Sequence, residues 1–155
     1  MLPAVLITGC SSGIGRATAL RLAASGRWTV YATARRLSSL SDLASAGCRT
    51  LDVDVTDEDS MQRAVRAIEE TEGALAALVN NAGYSQSGAV EAVPIDRVRA
   101  QFETNVFGLL RLTQLVLPGM RRARAGRIVN IGSMGGRLVF PGVGCTTRPN
   151  MPLKR

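Results

Sequence analysis

Hydrophobic positions along the chain alternate between two periods. Ala4-Val5-Leu6-Ile7-Thr8 is a short apolar run, rich in β-branched residues and closed by Gly9 and Gly13, which predicts a buried parallel strand. From Ile14 to Ala24 the apolar residues Ile14, Ala17, Leu20 and Ala24 recur at helical spacing, and Gly26 ends the run. Trp28 to Thr33 predicts a second strand, Leu37 to Ala46 a weak helix, and Arg49 to Val53 a third strand. Thr56-Asp57-Glu58-Asp59 loads acids at a helix start, where the dipole favours them, and that helix runs to about Glu70. Leu75 to Val79 is a fourth strand, Asp96 to Leu117 a long helix, and Gly126 to Ile131 a fifth strand. Strands alternating with helices predict βαβ units, hence an α/β fold with a doubly wound parallel sheet of the Rossmann type and about five strands. The sheet is incomplete, since no sixth strand follows to cover the edge of the fifth. We expect one domain over 1–144 and an irregular tail over 145–155, where two prolines and no periodicity appear.

Composition narrows the chemistry. The 155 residues are 46% hydrophobic, enough for one core, and no apolar stretch is long enough to span a membrane. There is no histidine, and Cys10, Cys48 and Cys145 lack metal-ligand spacing. A zinc site, a Ser/His/Asp triad and a Cys/His pair are therefore excluded, and no metal is expected. The N-terminus lacks a basic region and a cleavage site, so a cytoplasmic chain with reduced thiols is expected. The net charge of +7 raises the question of nucleic acid. Its basic residues are scattered and not interleaved with aromatics, which argues against that partner.

The segment Thr8-Gly9-Cys10-Ser11-Ser12-Gly13-Ile14-Gly15 joins the first strand to the first helix. Glycines there let the backbone approach a pyrophosphate, and the helix start offers free N–H groups. Taken alone, the same glycines would also suit a simple turn. No Gly-Lys-Ser/Thr follows, so a nucleotide-hydrolase loop is excluded.

This segment resembles the Thr-Gly-x3-Gly-x-Gly fingerprint of the short-chain dehydrogenase/reductase family, of the non-extended type. Asn80-Asn81-Ala82-Gly83 is similar to that family's Asn-Asn-Ala-Gly motif, and Asp54-Val55, Asn105 and Ser133 fall in family order. The resemblance spans about residues 4–144. It implies an NAD(P)-dependent oxidoreductase acting on a small-molecule carbonyl or alcohol, with Gly9, Ser11, Ser12, Gly13, Ile14 and Gly15 holding the cofactor's pyrophosphate. Beyond the second strand the chain reads Thr33-Ala34-Arg35-Arg36 with no acid, so Arg35 points to NADP, with NAD as the other option. A solvated arginine pair at a strand end is the competing account. Asp54 would take the adenine amino group with Val55 against the ring; capping the next helix is the other use, though Thr56 or Asp57 serves that better. Asn81, Ala82 and Gly83 would line the ribose side, while Asn80 or Asn81 could instead tie strands together.

The resemblance makes Ser133 the residue that orients the substrate oxygen and Asn105 the anchor of a proton-relaying water. A turn serine and a polar residue at a helix kink are the respective alternatives. The family's tyrosine and lysine should stand at positions 146 and 150, where this chain has Thr146 and Asn150. Its only tyrosines are Tyr31 and Tyr84 and its only lysine Lys154, so the acid/base pair is missing. Reading the codons from the last base of the Cys145 codon admits Tyr-His-Ala-Ser-Lys, so we expect a frameshift or truncation after Gly144. The alternatives to an enzyme are a non-catalytic dinucleotide-binding module and a non-functional fragment. The full-length form is expected to be a homo-oligomer, packed through the long helix.

Overall fold

The structure, a computed structural model, describes residues 2–133. Five parallel strands form one sheet in the order β3-β2-β1-β4-β5: Ala4–Ile7 (β1), Thr29–Ala34 (β2), Arg49–Asp52 (β3), Ala77–Asn80 (β4) and Arg127–Asn130 (β5). The helices are Gly13–Ala24 (α1), Ser41–Ser45 (α2), Glu58–Glu72 (α3), Ile95–Phe102 (α4) and Leu109–Ala123 (α5). Over the described residues the sheet is the expected doubly wound Rossmann-type α/β arrangement.

Alternation along the strands splits the core in two, as a period of two requires. Leu6, Tyr31 and Leu78 face α3 and α5, where they meet Val65, Ile68, Leu112 and Val116. Val5, Ile7, Val30 and Ala32 face the other layer and meet Ala19, Leu40 and Leu43. Because both faces are covered, the central strands read as continuous apolar runs. Parallel packing of α3 on α5 is fixed by two ion pairs of equal sequence offset, Glu58–Arg111 and Glu69–Arg122, three turns apart.

Two elements differ from their expected form. The weak helix over 37–46 is a 3₁₀ turn, Leu37–Leu40, followed by the single-turn α2. Its sequence is rich in serine, which competes for backbone groups. The helix expected from Asp57 is capped as foreseen: the Asp57 carboxylate accepts from the amides of Asp59 and Ser60. The long helix is not continuous. A π-helical stretch, Glu103–Gly108, separates α4 from α5, and α5 runs through Pro118 to Ala123. Pro118 is exposed, so the carbonyl deprived of its donor faces water and the helix continues. The domain boundary at 144, the tail over 145–155 and positions 146 and 150 lie outside the described residues.

Candidate dinucleotide site

All five strands run the same way, so the segments following them collect at one end of the sheet. β1 lies between β2 and β4, and the chain winds to one side through β2 and β3 before returning to the other through β4 and β5. That reversal opens a crevice beyond the carboxyl ends of β1 and β4, where open α/β sheets bind ligands.

Thr8, at the end of β1, organises the crevice. Its buried hydroxyl oxygen accepts from the backbone amides of Asn81 at 3.0 Å and Ala82 at 2.9 Å. The Asn81 amide in turn donates to the carbonyls of Thr8 and Gly9, at 2.9 and 3.0 Å. Gly9 has φ +70°, and a Cβ there would sit 2.8 Å from the Cα of Ala82. A Cβ on Gly15 would lie 2.6 Å from the Gly9 carbonyl and would overlap the Asn81 amide. The two motifs therefore interlock, and only glycine fits at either contact.

The loop between them is left open. Ser12 is extended at the start of α1 and makes no side-chain cap, and the first turn holds no acid. The first N–H groups of α1 therefore remain unsatisfied with the positive end of its dipole uncompensated. Ser11, Ser12 and Gly13 are exposed, as is Ile14 at 61%. A polar cradle beside an uncovered isoleucine suits a ligand with both phosphate and apolar parts.

The neighbouring loops bring further groups. Cys10 N–H donates to the Thr33 carbonyl at 2.8 Å, which fixes the glycine loop to the end of β2, two residues before Arg35. Arg35 and Arg36 are exposed, and neither guanidinium has a partner among the described residues. Asp54 does not cap α3. One of its carboxylate oxygens accepts from the amide and hydroxyl of Thr56, at 2.9 and 2.7 Å, which leaves the other oxygen to accept. Val55 departs from its expected role, because its side chain is 7% exposed and belongs to the core rather than to an open ring-binding face. Its backbone N–H has no partner among the described residues and is the part left to a ligand.

Asn80 and Asn81 both tie strands, by different means. The buried Asn80 amide donates to Asn130 on β5 at 2.9 Å and to Thr113 on α5 at 3.1 Å. Gly83 meets the side chain of Asn105, whose Oδ1 lies 3.1 Å from a Cβ position there. Asn105 stands in the π-helical stretch and binds both backbone groups of Tyr84, accepting its N–H at 3.1 Å and donating to its carbonyl at 2.8 Å. Its amide is thus committed to holding the loop after β4, as single π turns at functional sites often are. Ser133 is exposed and follows β5 by three residues, at the same end of the sheet.

Contacts unite Gly9, Gly15, Asn81 and Ala82, and separately Gly83 and Asn105. Arg35 and Asp54 join them through the sheet alone. Sequence reasoning gave no role to Thr8, nor to Thr33, whose hydroxyl donates to the Ile7 carbonyl at 3.1 Å. It also passed over Gly108, where a Cβ would come within 3.0 Å of the Val55 backbone carbon. Glycine inside a helix is costly unless another backbone must come close, and that signal was available.

Tyr31 is excluded as the missing acid. Its hydroxyl receives a hydrogen bond from Arg49 at 2.6 Å and donates to Glu72 at 3.2 Å, beneath the start of β3 and the end of α3. That is the opposite end of the sheet. Burial raises its pKa, against the opposing hydrogen bond from Arg49. Burial also pushes the Cys10 thiol, beneath the glycine loop, up to about 11, which removes it as a nucleophile. Among the described residues no cluster of potential metal ligands exists, and no helix is long and apolar enough to cross a membrane.

Comparison with known proteins agrees with this geometry. The family model described as short chain dehydrogenase matches residues 3–145. The chain is 42% identical over 137 residues to a 3-ketodihydrosphingosine reductase of Bacteroides thetaiotaomicron, covering 88% of this chain and 49% of that protein. It is 41% identical over 148 residues to estradiol 17-beta-dehydrogenase 1 of Rattus norvegicus, covering 88% of this chain and 42% of that one. Among solved structures, a short-chain dehydrogenase from Streptomyces avermitilis superposes with a TM-score of 0.88 at 40% identity, over 95% of this chain and 55% of the other. A variant of actinorhodin polyketide ketoreductase crystallised with NADPH gives a TM-score of 0.86 at 33% identity, over 94% and 59%. The chain spans about half the length of the curated relatives it matches. It belongs to the short-chain dehydrogenase family.

Proposed function

We propose that this chain is the cofactor-binding part of an NADP-preferring oxidoreductase that exchanges hydride with a small-molecule carbonyl or alcohol. The observation that carries this reading is the interlock of Thr8, Gly9 and Gly15 with Asn81 and Ala82 at the switch point of the sheet. Within it, the amides of Ser11 to Gly15 receive the pyrophosphate and Arg35 the adenosine 2′-phosphate. The free oxygen of Asp54 accepts from the adenine amino group, and the Val55 N–H donates to the ring. Asn81, Ala82 and Gly83 border the ribose. Asn105 acts by holding the Tyr84 backbone, and Ser133 orients the substrate oxygen. The nicotinamide cofactor, when bound, supplies or accepts the hydride.

Proton transfer to the oxygen is the step this sequence does not equip. It has no tyrosine followed four residues later by lysine, and Tyr31 is buried at the far end of the sheet. We therefore expect cofactor binding with negligible turnover, and that missing pair also favours the reading as a non-catalytic binding module. The domain ends near residue 144, the chain is cytoplasmic, and the full-length form pairs through the helix that exposes Phe107 and Leu110. Following NADPH oxidation with generic ketones, aldehydes and steroids, alongside NADPH binding, tests the proposal. Binding without oxidation supports it, whereas turnover at a rate normal for an oxidoreductase contradicts the missing-pair argument, and a folded chain that ignores NADPH contradicts the site.

A further inference from the structure

We propose that Asp42 tunes the cofactor's phosphate selectivity by engaging Arg16, a guanidinium that otherwise joins Arg35 in holding a 2′-phosphorylated adenosine. This rests on the NADP reading above. Arg16 is the residue after Gly15, in the first turn of α1, at the mouth of the glycine loop. The bond from Cys10 N–H to the Thr33 carbonyl draws that loop to the end of β2, so the segment leaving β2 through Arg35 and Arg36 passes beside the start of α1. Asp42 lies on α2, six residues beyond Arg36, and its carboxylate forms an ion pair with Arg16 across this seam.

Charge makes the pair informative. Asp42 is the sole acidic residue before Asp52, in a stretch holding Arg16, Arg21, Arg27, Arg35, Arg36 and Arg49. The one acid of this region is therefore spent on the arginine that follows the phosphate loop, while Arg35 and Arg36 have no partner among the described residues. Both side chains of the pair are 43% exposed, so the contact is exchangeable and contributes little to stability. A dianionic phosphate beside Arg35 offers Arg16 a stronger, bidentate partner than Asp42 does. It also meets repulsion from the Asp42 charge. Removing that charge while keeping a hydrogen-bonding amide should release Arg16 to the ligand.

The test is calorimetric titration of the full chain with 2′,5′-ADP and with 5′-AMP, for the wild type, Asp42→Asn, Arg16→Gln and the double variant. Asp42→Asn is expected to tighten 2′,5′-ADP by about three- to tenfold at low salt, to leave 5′-AMP unchanged, and to lose this gain in the Arg16→Gln background. The proposal is overturned if Asp42→Asn leaves 2′,5′-ADP unchanged or weaker, or if the gain persists undiminished without Arg16. A wild type that binds both nucleotides equally refutes the NADP reading itself, a result distinct from failure of the Asp42 variant alone. Both positions are half-exposed, and thermal unfolding of each variant verifies that the fold is retained.

Discussion

The Thr8 hydroxyl oxygen accepts two backbone N–H groups, from Asn81 and Ala82, and so locks the loop after β1 to the loop after β4. Replacing Thr8 with valine keeps the shape and leaves both amides without an acceptor in a region that is nearly closed to water. The expected loss is about 1–3 kcal/mol in urea unfolding. NADPH affinity should fall in parallel, and Thr8→Ser should restore most of both. A valine variant with unchanged affinity would separate this lock from the site.

Gly15 is the tighter of the two glycine contacts. Gly15→Ala places a methyl group against the Gly9 carbonyl and the Asn81 amide, which are bonded to each other, the amide also donating to the Thr8 carbonyl, so neither can move without breaking a bond. Overpacking of this kind costs about 1–3 kcal/mol. Cofactor titration should register a loss of at least tenfold, while Gly26→Ala, far from the crevice and strained only through its φ of +64°, should lower stability and leave affinity intact.

How much of this was legible in the sequence depends on how local the cause was. The strands and α1 were readable because apolar runs and glycine stops are local signals, and the Asp57 cap followed from a run of acids at a helix start. The break in the long helix was not. It falls where the Asn105 side chain binds both backbone groups of Tyr84, 21 residues earlier in the chain, and where Gly108 admits the Val55 backbone. Partners that distant leave no periodic trace. Val55 was misassigned for a similar reason: adjacency to Asp54 suggested a ligand-facing side chain, whereas the turn between β3 and α3 packs it into the core.

The contact of buried Tyr31 with Arg49 and Glu72 at the other end of the sheet predicts an alkaline effect. Burial raises the Tyr31 pKa above that of the unfolded chain, so the unfolded state releases this proton first. Tyr31 therefore contributes stability that is whole below the unfolded value of about 10 and is lost as pH rises through the folded one. Denaturation midpoints measured from pH 8 to 11 should decline at the alkaline end. In Tyr31→Phe that part of the decline should vanish, at a cost of about 1 kcal/mol at neutral pH from the lost hydrogen bonds. An identical alkaline decline in both proteins would remove Tyr31 as its source.

Cys10 and Cys48 are buried and both thiols are pushed up, Cys10 to about 11. Both should resist alkylation at pH 7.5 in the native chain and react fully in denaturant. Mass spectrometry of the labelled peptides distinguishes them. Rapid native labelling of Cys10 would mean that the glycine loop opens readily.

The central claim is that the loops beyond β1 to β4 form a site for a 2′-phosphorylated dinucleotide, and direct titration of the full chain tests it most simply. Calorimetry with NADPH and NADH should give saturable binding, at least tenfold tighter for NADPH, with that preference erased by Arg35→Ala. A folded chain that binds neither nucleotide, or binds both equally, contradicts the account.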